Sequence, residues 1–158
     1  MGVKIYTDGS SRGNPGPGGY GIVMVAGTMR KEMSAGFRMT TNNRMELLAV
    51  IEALKSMKRT DIPIDLYTDS KYVCDAIEKG WVFGWQKKGF KDKKNPDLWR
   101  EFLKIYKNYK IKFHWVKGHN GHPENERCDY LATEAAMANP RDIDHGYEQG
   151  DANVNTIL

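Results

Sequence analysis

Two phrases of the chain end in the same way. "IYTDGS" at residues 5–10 and "LYTDSK" at residues 66–71 each carry an apolar residue, a tyrosine and a threonine into an aspartate, Asp8 and Asp69. Such runs have the composition of short buried strands. In open α/β sheets, ligands collect at the C-terminal ends of the strands. If these two strands are parallel neighbours, the two carboxylates are neighbours as well. Two more acids flank apolar helical stripes: Glu46 at the start of "RMELLAVIEAL" and Asp129 in "ENERCDYLATEAAMA". Three or four clustered carboxylates without basic partners repel one another and raise their own pKa values unless a cation neutralises them. Oxygen-only ligands select a hard ion, so magnesium is the expected occupant and manganese a substitute. Two such ions roughly 3.5 to 4 Å apart can activate a water and stabilise a leaving oxygen, which is the in-line hydrolysis of a phosphodiester. Taken singly, Asp8 and Asp69 also suit an ordinary turn or helix cap, and Glu46 a helix-start charge. The repeated strand-end placement favours the metal chemistry.

Other residues could hold a polyanionic substrate. "GNPGPGGYG" has the glycines of a phosphate loop, but it runs into the strand-like "YGIVMV" rather than a helix, so a hairpin connection is expected. Asn14 in that loop and the "TTNN" run at 40–43 offer amides and hydroxyls to sugar and phosphate oxygens near Glu46, although Thr41 or Asn42 serves equally well as a helix cap. Residues 80–95 carry Lys87, Lys88, Lys91, Lys93 and Lys94 against only Asp92, interleaved with Trp81, Phe83, Trp85 and Phe90. Lysines of this kind draw a phosphate backbone while the rings pack on sugars or support the loop. A solvated lysine loop pinned by core aromatics is the plainer alternative; beside a phosphodiester site the run reads as a substrate handle. His119, between Gly118 and Gly121, suits a mobile proton shuttle, or is simply an exposed loop histidine. His119, His122 and Cys128 match no standard zinc spacing.

The elements that must position these groups follow from periodicity. "VKIYT", "YGIVMV" and "KEMSAGF" read as an antiparallel meander with Gly27 as a turn. Leu47, Val50, Ile51 and Leu54 keep the spacing of an amphipathic helix, as do Trp99, Phe102, Leu103 and Tyr106 and, near the end, Cys128, Leu131, Ala132 and Ala135. "IDLYT" and "IKFHWV" are the remaining strands, and "DSKYVCDAIEKG" a helix closed by Gly80. Alternation of strand and helix in the middle implies parallel pairing beside the meander, hence one mixed α/β sheet packed by helices.

The 158 residues, 40% hydrophobic, suit one domain with a real core. Residues 1–138 form that domain; residues 139–158 read as a polar, acidic and flexible tail, to which no function is assigned. The net charge of +4 divides into −3 on that tail and +7 on the body, a balance suited to a polyanion. Nothing approaches the roughly 20 apolar residues of a membrane span, and the start lacks the pattern of a secretory signal. A cytoplasmic protein without a membrane partner is therefore expected, with nothing demanding a dimer. Cys74 and Cys128 are expected as buried, reduced thiols.

"YTDGSSRGNPGPGGYG", "TTNNRMELLAVIEAL", "YTDSKYV", "NPDLW" and "WVKGHNGHPENERCDYLA" together resemble the bacterial-type, type 1 ribonucleases H, in order, from residue 3 to about 138. The resemblance implies a ribonuclease H-like fold, a five-stranded mixed sheet with helices on both faces. It also implies metal-dependent hydrolysis of the RNA strand of an RNA/DNA hybrid, leaving 5′-phosphate and 3′-hydroxyl ends. By the same likeness Asp8, Glu46, Asp69 and Asp129 hold the metals and His119 assists proton transfer or product release. Gly9, Ser11, Asn14, Asn42 and Asn43 would touch the RNA minor groove and its 2′-hydroxyls, with Thr41 near a DNA phosphate. The run at 80–95 resembles the family's basic protrusion, in which Trp81, Trp85, Lys87, Lys88 and Lys91 would grip the DNA strand. Ser11 stands where members often carry Cys, Lys71, counted here among the substrate contacts, where they often carry Gln, and Lys91 to Asp97 looks shortened. A binding module without turnover would be expected to lack a carboxylate, and all four are present. A strand-transfer enzyme would share the metal architecture, and dependence on RNA separates it from a hybrid nuclease.

Overall fold

The computed structural model describes residues 2–118 and 121–150. Three strands open the chain, β1 (Val3–Ser11), β2 (Gly16–Ala26) and β3 (Met29–Thr40), paired as an antiparallel meander. The helix α1 (Asn42–Lys55) then crosses back, so that β4 (Ile64–Thr68) lies parallel to β1. Three helices, α2 (Lys71–Glu78), α3 (Trp81–Lys87) and α4 (Pro96–Tyr106), lead to β5 (Ile111–Trp115), which pairs parallel with β4. The chain continues into α5 (Pro123–Met137) and α6 (His145–Glu148). The sheet order is β3-β2-β1-β4-β5, the mixed five-stranded sheet that the alternation of elements predicts.

Strand alternation decides which helix covers which face. Ile5, Ile22, Met24 and Leu66 point to one side and join Leu47, Val50, Ile51 and Leu54 of α1 and Trp99 and Phe102 of α4 in a single core. The opposite face of β2 receives α5, whose Cys128 and Ala132 are buried. This approach is so close that a Cβ on Gly21 would run into the Cys128 carbonyl. Both cysteines are buried and unpaired, as expected. Among the described residues, no helix is long and apolar enough to cross a membrane.

Two stretches differ from the expectation. Residues 80–95, for which no helix is expected, open with a short helix, α3, whose Val82 is buried, as is Phe90 beyond it. Residues 139–150, read as part of a flexible tail, are anchored to the body. The Arg38 backbone N–H donates to the Asp142 carbonyl at 2.9 Å, the Arg38 side chain pairs with Glu148, and Asp144 is buried against Arg44. Apolar periodicity is blind to such a segment, because what anchors it is charge. The remaining tail, residues 151–158, lies outside the described residues.

Candidate active site

Strand register brings the first two carboxylates together. Thr7 of β1 stands opposite Thr68 of β4, so Asp8 and Asp69 leave the same edge of two parallel strands side by side. Asp69 is fixed by its neighbours. The Ser70 backbone N–H donates to Thr68 Oγ1 at 3.0 Å, and Ser70 Oγ caps α2 by accepting from the Val73 N–H at 3.2 Å. Trp115 Nε1 donates to the Asp69 carbonyl at 3.1 Å from the end of β5.

Glu46 arrives from above. Thr41 caps α1, its Oγ1 accepting from the Arg44 N–H at 3.3 Å, which sets Glu46 in the early turns of the helix. The helix meets β1 at Gly9, where a Cβ would overlap the Glu46 nitrogen and the Met45 carbonyl carbon. Glycine is thus what lets a residue beside Asp8 touch the backbone of Glu46. Asp8, Glu46 and Asp69 each offer an oxygen, all within 4.8 Å of one another. Asp129, half-buried on α5, lines the same cleft of about 440 Å³.

The electrostatics of this cleft are those of a cation site. Burial, then Asp69 and Asp129, push the Asp8 carboxyl up to about 8, against the Gly9 N–H that donates to its Oδ1 at 2.9 Å. Glu46 is raised well above the ordinary range by burial and then by Asp8 and Asp69. Among the described residues, none of the four carboxylates has an ion-pair partner. Glu46 Oε1 and Asp69 Oδ1 are buried with no hydrogen bond at all. Buried acceptors are normally satisfied, and four hard oxygen donors with two left orphaned fit a divalent metal ion.

The predicted substrate contacts divide into three groups. Gly9, Asn42, Asn43 and Lys71 line the carboxylate cleft itself. Asn14 and Thr41 lie at the adjoining end of α1, in a second polar cleft, and Asn14 Oδ1 accepts from the Asn42 N–H at 3.0 Å. Ser11 is the last residue of β1, half-buried, and lines neither cleft. Trp81, Trp85, Lys88 and Lys91 line a separate hollow on the α3 segment, with Lys87 exposed beside it. Trp85 packs edge-on against Trp99 at 5.9 Å, so one of the two tryptophans supports the segment while Trp81 stays 49% exposed. His119 lies outside the described residues; its neighbour Gly118 abuts Asp69, where a Cβ would meet Oδ2 at 2.8 Å.

Sequence reasoning missed Ser10, Ser70 and Tyr72, which also line the cleft, and Trp115, which braces Asp69. Ser10 and Ser70 lie close to the two aspartates in the chain, a signal that was available. Trp115 carries none, because its role depends on β5 pairing with β4. The ring of Trp115 also holds the Lys71 ammonium at 4.7 Å.

The family profile of RNase H matches residues 1–137 of the chain. The chain belongs to the RNase H family. A ribonuclease H of Desulforamulus reducens is 58% identical over 139 residues, spanning 85% of this chain and 87% of the relative. A ribonuclease H of Nitratidesulfovibrio vulgaris is 50% identical over 152 residues, 93% of this chain and 97% of the relative. Among solved structures, LC9-RNase H1, described as a type 1 RNase H with the type 2 active-site motif, superposes with a TM-score of 0.78 at 35% identity, covering 98% of this chain and 82% of that one. LC11-RNase H1, solved in complex with an RNA/DNA hybrid, superposes with a TM-score of 0.66 at 28% identity, covering 86% and 97%. This bacterial-type ribonuclease H is accordingly a nuclease, a hydrolase of phosphodiesters, with the fold that its motifs imply.

Proposed function

We propose that this RNase H cuts the RNA strand of RNA/DNA hybrids within the strand, with Asp8, Glu46, Asp69 and Asp129 holding Mg²⁺, or Mn²⁺ in its place, and residues 1–138 as the catalytic domain. The observation that carries the reading is the convergence of these carboxylates in one cleft, two of their oxygens orphaned, with Asn42, Asn43 and Gly9 on its wall. When bound, paired divalent ions supply the Lewis acidity that activates a water and stabilises the leaving 3′-oxygen, giving 5′-phosphate and 3′-hydroxyl ends.

The chain's own groups do the rest. Asp8 and Asp69, fixed side by side where β1 and β4 stop pairing, set the separation of the charges they hold. Asn42 and Asn43 offer side-chain amides, and Gly9 its backbone, to the minor groove, where a 2′-hydroxyl distinguishes RNA from DNA. Ser11 and Asn14 extend that contact along the RNA strand, and Thr41 lies near a DNA phosphate. Lys71 places a cation beside the acidic cleft, suited to a phosphate of the cut strand. The exposed Lys87, Lys88 and Lys91, with Trp81 and Trp85, hold the DNA strand by charge and by packing on its sugars. His119 carries a proton to or from the reacting phosphate or assists release of the product.

End-labelled RNA/DNA, RNA/RNA and DNA/DNA duplexes, incubated in Mg²⁺ and in chelator, test the reading. Cleavage of the RNA strand of the hybrid alone, and only with metal, is the expected result. Cleavage of DNA/DNA, or binding of the hybrid without cleavage, refutes it.

A further inference from the structure

Arg44 is 1% exposed and points away from the carboxylate cleft into a cluster of its own. Its Nε and Nη2 donate to Asp144 Oδ2 and Oδ1 at 2.7 and 2.8 Å, and its Nη1 and Nη2 to Asp97 Oδ1 and Oδ2 at 2.9 and 2.8 Å. Asn95 Oδ1 accepts from Nη1 at 3.3 Å. Asp144 reaches one step further: its Oδ2 also accepts from Thr40 Oγ1 at 2.6 Å. One carboxylate from the C-terminal segment therefore grips the residues immediately before and after Thr41, Asn42 and Asn43, the cap and first turn of α1.

A buried ion cluster is weak evidence of stabilisation, since well-packed apolar groups of the same volume serve as well. What a forked guanidinium between two carboxylates supplies is direction, because both hydrogen bonds of each pair constrain the plane of the fork. The direction fixed here is that of the turn presenting Asn42 and Asn43. Asn14 holds the same turn from the other side through the Asn42 N–H. The segment is also seated without slack. A Cβ on Gly146 would meet Arg44 Nη2 at 2.6 Å and overlap Asp97 Oδ2. Tyr147, next to it, forms one wall of the polar cleft of about 230 Å³ shared with Asn14, Thr41, Asn43 and Lys94.

We infer that residues 139–150 are a positioning element for substrate binding, with Asp144 and Gly146 holding the first turn of α1 in the orientation that meets the nucleic acid. The inference rests on the proposed contact of Thr41–Asn43 with the hybrid. Glu46 has a second support, the contact of its backbone with Gly9, so the clamp bears on substrate binding more than on the metal ligands.

Asp144→Asn and Gly146→Ala, each in the full chain, attack the clamp in different ways. The amide turns an NH₂ toward donors on Thr40 or Arg44, whereas the added methyl pushes Asp97 and Arg44 away from the segment without removing any charge. At a temperature where circular dichroism shows all three proteins folded, both variants should raise KM for the hybrid severalfold with kcat little changed, because the turn they displace meets the substrate away from the reacting phosphate. Magnesium affinity, measured by calorimetry without substrate, should be unchanged. Hydrogen exchange should quicken at residues 41–45 and not in β4 or β5. A lowered melting temperature with unchanged KM and unchanged exchange at 41–45 would make the cluster a structural prop and overturn the inference. Loss of kcat or of magnesium affinity with KM unchanged would overturn it too, by tying the clamp to the carboxylates. If the unaltered chain fails to cut the hybrid, the proposed function fails, and the exchange at 41–45 alone decides the clamp.

Discussion

Asp8 stands where burial and two other acids all oppose its charge, while only the Glu46 carboxyl, by hydrogen bonding, and the Gly9 backbone N–H favour it. Such a residue is costly to the fold and is explained only by what it binds. Asp8→Asn removes a charged ligand and relieves the repulsion in one step. Turnover of the hybrid should fall by at least roughly a hundredfold, the upper end of the effect of removing only an outer partner of a metal ligand. In chelator, the same variant should melt higher than the unaltered protein, by about 2 to 4 °C for each kcal/mol of repulsion relieved. Undiminished cleavage by the purified variant would remove Asp8 from the metal site. At this scale the two YTD phrases made Asp8 and Asp69 legible as a pair, although only Asp69 follows the end of its strand: β1 runs past Asp8 to Ser11, and the two acids meet where β1 and β4 stop pairing. Arg44 was not legible as a clamp: a lone arginine on a helix reads as solvated until the segment that covers it is in place.

At the scale of elements, the site depends on how closely α1 approaches β1. Gly9→Ala puts a methyl into the Glu46 and Met45 backbone, and neither strand nor helix can move without disturbing the core behind it. The expected cost is about 1 to 3 kcal/mol of stability by denaturant melting, the range for overpacked sites. A drop in kcat should accompany it, since Glu46 is displaced relative to Asp8. A variant as stable and active as the original would mean that the helix has room to shift. The α3 segment makes a different prediction. Replacing Lys87, Lys88 and Lys91 together by Ala should flatten the salt dependence of hybrid binding, by about 0.9 in the log–log slope for each phosphate that the protein no longer neutralises. Saturated turnover should change little. An unchanged slope would return these lysines to the role of a solvated surface. The lysine count showed this segment in the sequence, but Val82, the buried residue of α3, and Phe90 beyond the helix became informative only once their packing was seen.

For the whole molecule, the acid cleft should set the pH dependence of stability. The folded-state pKa of Asp8 is raised from an ordinary 3.8 to about 8, and that of Glu46 is raised as well. Between those limits the folded, metal-free protein binds more protons than the unfolded chain, so its stability falls as pH rises through that window. Asp144 works in the opposite sense. Burial alone would raise it, but hydrogen bonds from Arg44 and Thr40 outweigh burial and hold it below the ordinary range. Its contribution is therefore present above that range and is lost on acidification. Melting curves in chelator from about pH 4 to about pH 8 should fall steadily, and saturating Mg²⁺ should flatten them. A flat profile in chelator would mean that the cleft is not charged as its geometry implies. The sequence by itself determined the mixed sheet and the helical stripes and pointed to the four acids, because strand alternation, helical periodicity and the repeated YTD phrase are properties of neighbours in the chain. Only the tertiary structure decided that Thr7 registers with Thr68, that α1 closes on Gly9, and that a segment read as a tail returns to grip Arg44. The last of these joins residues 100 positions apart, and an ion pair buried at that separation leaves no periodic trace in either partner's surroundings.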